Sequence, residues 1–67
     1  MSFKVIVYRA GKVYETYTFT GNIERDYKIA LDLAKRRAKQ FSKDGYAVIE
    51  NAYGKRVWHS MGRVVNV

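Results

Sequence analysis

Apolar and polar positions alternate with a period of two near both ends of the chain and with a helical period between them. Phe3 to Arg9, FKVIVYR, is β-branched and aromatic and stops at Ala10-Gly11, which predicts a strand. Phe3, Val5 and Val7 share one face, and Lys4, Ile6 and Tyr8 the other. Both faces are partly apolar, so this strand belongs inside the sheet or under a second cover. Lys12 to Thr20, KVYETYTFT, is a second strand, joined to the first by a hairpin turn at Gly11. Val13, Tyr17 and Phe19 alternate against Tyr14, Thr16, Thr18 and Thr20. Glu15 falls on the Val13/Tyr17 side, an imperfection that a bulge or an edge position accommodates.

Gly21-Asn22 is a break, with Asn22 the expected N-cap and Glu24 and Asp26 in the first turn against the positive helix end. From Ile23 to about Ser42 the period is helical. Ile23, Tyr27, Ala30, Leu31, Ala34, Ala38 and Phe41 form one apolar stripe. Asp44-Gly45 closes the helix, with Gly45 expected in the left-handed region. Tyr46 to Asn51 is a third strand, Ala52-Tyr53-Gly54 a turn, and Lys55 to Ser60 a fourth strand. Met61-Gly62 breaks the pattern, and Arg63 to Val67 reads as a short fifth strand or an ordered tail. The order β-β-α-β-β predicts an α+β fold in which one long helix packs on one face of a four- or five-stranded antiparallel sheet. The pattern leaves the strand order open.

Length and charge narrow the picture. The chain of 67 residues makes a single small domain, residues 1–67. Thirteen Lys and Arg oppose six Asp and Glu, giving a net charge of +7. There is no Cys. That excludes disulfides, thiolate metal sites and cysteine nucleophiles, and it fits a reducing compartment such as the cytoplasm. No apolar run reaches the roughly 18 residues of a membrane span, and the first residues lack a signal-peptide pattern. So small a core also gives the chain an incentive to self-associate, which makes a homodimer an open expectation.

Lys28, Lys35, Lys39 and Lys43, with Arg25 and Arg36, lie roughly opposite the apolar stripe, and Asp32 sits among them. Lys35 to Lys43, KRRAKQFSK, holds five positive charges in nine residues. This reads as a ridge that meets phosphates, joined by Lys12, Lys55 and Arg56 of the hairpins. It reads equally as a solvated face, because cations complement the negative helix end and Asp32 with Arg36 is an ordinary i,i+4 pair. Ile29 and Leu33 form a narrow second stripe beside Arg36, Arg37 and Gln40. Either the sheet curls to cover it, or a partner or second copy does.

The aromatic content is high, with six Tyr, three Phe and one Trp. Phe3, Tyr17, Phe19, Tyr27 and Phe41 are expected in the core. Tyr53 and Trp58, beside Lys55 and Arg56, suit stacking on unpaired bases, a protein hot spot, or cross-strand packing. His59 is the sole His, and Ser60 points to the other face of its strand, so the two form no dyad. The carboxylates are scattered and no glycine-rich phosphate loop occurs. No catalytic residue, cofactor or metal is expected.

The segment ALDLAKRRAKQFSKDGYAVIENAYGKRVWHS, ending at Ser60, resembles the helix–Gly–strand–turn–strand half of several small uncharacterised proteins. The layout is similar to that of small phage-encoded host-takeover proteins, including some anti-CRISPR proteins. The resemblance implies a phage or mobile-element accessory factor acting in the cytoplasm of a bacterial or archaeal host, and it transfers no functional residue. The leading expectation is a non-catalytic module that contacts DNA or RNA. The alternative is a protein-binding modulator or inhibitor of a host nucleic-acid-handling enzyme, docked on an acidic groove.

Overall fold

A computed structural model describes residues 2–21 and 23–62, the side chain of Ile23 excepted. The expected N-cap at Asn22 and the expected strand or tail at 63–67 lie outside the described residues. Five elements follow in the order β1 (Phe3–Arg9), β2 (Lys12–Phe19), α1 (Ile23–Gln40), β3 (Gly45–Asn51) and β4 (Arg56–His59). The strands form one antiparallel sheet in the order β2-β1-β3-β4. The two hairpins thus lie side by side, with β1 and β3 in the middle and β2 and β4 at the edges.

The helix crosses one face of the sheet above β1 and β3. Phe3, Val5 and Val7 from β1 meet Ala47 and Ile49 from β3, and Ala30 and Ala34 press down from the helix. Two alanines at the contact let the helix axis approach the sheet, which suits a core built from Val and Ile. Tyr17, Phe19, Tyr27, Leu31, Ala38, Phe41 and Trp58 pack around this centre. Phe3 stacks on Phe19 at 5.4 Å and meets Tyr27 edge-on at 6.0 Å. The apolar stripe read from the helical period is therefore the one that is buried.

A two-residue turn, Ala10-Gly11, joins β1 to β2. Both residues are left-handed, with φ of 51° and 77°, which is the backbone twist a two-residue hairpin favours. The Ala10 N–H donates to the Asp44 carbonyl at 2.8 Å, tying this turn to the end of the helix. Glu15 is accommodated by both routes open to it. β2 is an edge strand, and its register with β1 shifts between Val7 and Tyr8, so that Glu15 faces Val7 while Val13 faces Tyr8. Tyr14 is the extra residue. Its ring meets Phe41 edge-on at 5.3 Å. The Arg9 guanidinium lies 5.0 Å from the Tyr14 ring centre and 4.5 Å from that of Phe41. The bulge thus breaks the expected alternation: Val13 leaves the Tyr17/Phe19 side for the opposite face.

Gly45 also departs from expectation. Its φ is not positive. It opens β3, and its N–H donates to the Phe41 carbonyl at 2.7 Å. A Cβ at Gly45 would collide with the Tyr8 carbonyl and crowd Phe41 Cβ at 3.2 Å. Glycine is required there by close approach of two backbones, not by a left-handed cap.

Candidate nucleic-acid interface

The helix arginines are engaged locally. Arg37 Nε donates to Glu15 Oε1 at 3.0 Å, Arg36 pairs with Asp32 at 3.2 Å, and Arg25 with Asp26 at 3.4 Å. Tyr17 and Glu15 both raise the Arg37 pKa, Tyr17 the more strongly, so this guanidinium is held charged against the edge strand. At the far end of β1, Arg9 pairs with Asp44 at 3.3 Å. Lys28, Lys35, Lys39 and Lys43 make no ion pair among the described residues and are exposed. Pairing therefore engages Arg25, Arg36 and Arg37 of the helix and leaves its exposed cations as lysines, flexible, strongly hydrated point charges suited to phosphate.

The Arg37–Glu15 contact fixes how the helix is rolled. It turns Arg37, and with it Leu33 and Ile29 at i−4 and i−8, toward β2. From Lys28 to Arg37 is about two and a half helical turns, so Lys28 leaves the helix on the opposite flank, toward β4. Lys35 shares that flank with Leu31, and Lys39 lies one turn further along. Lys55 sits in the turn that leads into β4, and Arg56 begins β4. The helical period thus puts Lys28, Lys35 and Lys39 on the flank toward β4, with Lys55 in the turn before β4, while the Arg56 side chain lies on the other face of the sheet, 5.9 Å from the Tyr8 ring centre. The structure sets apart Arg36, bound to Asp32, and Lys12 in the first hairpin. Lys43 lies at the helix C-terminal end, near that hairpin.

Asn51 shapes the approach to β4. Its Oδ1 accepts from the N–H groups of Tyr53 and Lys55 at 2.9 and 3.0 Å. This holds the turn in which Tyr53 stands 87% exposed. Trp58 is half-buried and packs against the core on the helix side. Ile29 is 51% exposed and Leu33 half-buried, so the sheet does not curl over the second stripe.

The sheet face away from the helix carries an arrangement that sequence reasoning missed. Tyr8 of β1 stacks on Tyr46 of β3 at 4.8 Å, and Tyr46 stacks on His59 of β4 at 5.0 Å. Arg56 reaches along the same face to 5.9 Å from the Tyr8 ring centre. Val48, in the middle of this face, is fully buried, and among the described residues no helix or strand packs over it. Half-buried Ile6, exposed Val13 and exposed Lys4 complete the surface, with Glu50 opposite both Lys4 and Arg56. The apolar second face of β1 was the only signal in the sequence. The ladder itself depends on cross-strand register.

His59 is held neutral. Burial lowers its pKa, and the nearby Arg56 lowers it further. Its Nδ1 accepts the Met61 N–H at 3.0 Å, which assigns the proton to Nε2. Ser60 is bound elsewhere, its Oγ accepting the Ala47 N–H at 3.1 Å. Among the described residues no group of three or more His, Cys, Asp or Glu could hold a metal ion. No described helix is long and apolar enough to cross a membrane. Comparison of the chain with protein-family models, curated proteins and solved structures returns no match.

Proposed function

We propose that this protein is a non-catalytic nucleic-acid-binding module whose phosphate contacts are the lysines on the β4 flank of the helix. The observation that carries the reading is the division of labour among the cations. The helix arginines bind carboxylates of the same chain, while Lys28, Lys35 and Lys39 stand exposed on one helix flank, with Lys55 in the turn before β4 and Arg56 on the sheet's other face as further cations. Such a patch attracts a polyanion by releasing its counterions, which needs no base-specific contact. The test is a titration of labelled duplex DNA, single-stranded DNA and RNA at low and physiological salt. Binding that weakens steeply with salt supports the reading, and binding that ignores salt refutes it.

A second reading, contact with a protein, is favoured by the exposed Ile29 beside half-buried Leu33 along the free edge of β2. An unpaired strand edge next to an apolar helix flank is a surface on which another chain, including a second copy, can dock. A complex that survives nuclease treatment and is lost in Leu33→Lys supports this reading. A monomeric protein that captures no partner refutes it.

A further inference from the structure

We propose that the open face of the sheet is a binding site for single-stranded nucleic acid, which takes two or three unpaired bases on the Tyr8–Tyr46–His59 ladder. This rests on the nucleic-acid reading above and assigns it a strandedness and a second contact surface. Three aromatic rings on three adjacent strands form a continuous stack. With centroids 4.8 Å apart and a ring gap of about 3.5 Å, each ring is displaced sideways by about 3.3 Å, so the rings overlap like shingles. Tyr8, Tyr46 and His59 are each half-buried, so part of each side chain remains accessible to a planar ligand.

Charge and area select the occupant. Arg56 reaches the Tyr8 ring, Lys4 lies further along β1 on the same face, and Glu50, opposite both, is the sole acid on this face among the described residues. That balance suits an anionic strand whose bases lie on apolar rings. Four strands about 4.8 Å apart and roughly 20 Å long make a face of only about 400 Å². A stable protein interface needs about 800 Å² per partner, whereas two or three bases fit on a four-stranded sheet of this size. The geometry also joins the two surfaces. The ladder ends at β4, the edge strand on the helix flank that carries Lys28 and Lys35, so a strand leaving the sheet at His59 can continue toward those lysines. A duplex, with its bases stacked inside, gains nothing from the ladder.

The experiment titrates a labelled single strand of about eight nucleotides, as RNA and as DNA, and a duplex of the same sequence. It uses the parent, Tyr46→Leu and Lys28→Gln/Lys35→Gln. Tyr46→Leu keeps an apolar side chain at this position and removes the central ring. The expected result is tighter binding of the single strand than of the duplex, with Tyr46→Leu weakening only the single strand by about 5- to 100-fold. In the parent, amide NMR shifts at Ile6, Tyr8, Tyr46, Val48 and His59 should move on titration, which tests the site even if Tyr46→Leu fails to fold. If the lysine variant weakens single strand and duplex alike while Tyr46→Leu and the open-face amides are unaffected, the sheet site is refuted and the nucleic-acid reading stands. If no oligonucleotide binds at low salt, or the open face responds only to a protein, both fall.

Discussion

Replacing Lys28, Lys35 and Lys39 together by Gln removes three exposed charges that make no ion pair among the described residues, so the fold should be unaffected. If Lys28, Lys35, Lys39, Lys55 and Arg56 each meet one phosphate of a single strand, log K falls with log salt at a slope of about −3.5. Losing three contacts brings the slope to about −1.4. Raising salt from about 50 to 200 mM then weakens the parent about 130-fold and the variant only about 7-fold. Fluorescence anisotropy of a labelled oligonucleotide across that range measures both slopes, and thermal unfolding by circular dichroism checks that the variant is intact. Equal slopes in an intact variant would show that the lysines of this flank do not meet phosphate.

Other outcomes test the scaffold. Gly45→Ala forces a methyl group against the Tyr8 carbonyl and should cost about 1–3 kcal/mol, read as a lowered denaturant midpoint; an unchanged midpoint would mean the two backbones can separate freely. Ala10 bears a left-handed φ of 51°, so Ala10→Asn, which restores the favoured Asn-Gly turn, should stabilise the hairpin by about 1 kcal/mol. A loss of stability there would contradict the turn assignment. The folded-state pKa of His59 lies below its unfolded value of about 6.5, so folding favours the neutral ring. Its contribution is fully present above pH ~6.5 and is lost as pH falls from there through the folded pKa, since a protonated Nδ1 cannot accept the Met61 N–H. In His59→Phe that part of the pH dependence should vanish, and a parent whose stability is flat below pH ~6.5 would remove the assignment.

Much of the fold was legible because its signals are local. β1 reads as Phe3–Arg9 from β-branched residues and a turn at Ala10-Gly11, and the helical stripe through Ala30 and Ala34 is the one that packs. The basic character of the helix was legible for the same reason, since Lys28, Lys35 and Lys39 follow its period. Gly45 was misread because glycine after a helix has two uses, and only the position of Tyr8 on a neighbouring strand tells them apart.

The sequence alone determined the ββαββ order, the buried stripe and the surplus of positive charge, because each depends on residue type and short-range periodicity. Tertiary structure alone decided which strands neighbour one another, and from that came the rest. The bulge that turned Val13 outward, the Glu15–Arg37 contact that set the roll of the helix, and the ladder from Tyr8 through Tyr46 to His59 all join residues far apart in the chain. Their pairing is fixed by register and by which side chains must be covered, and one-dimensional periodicity carries neither.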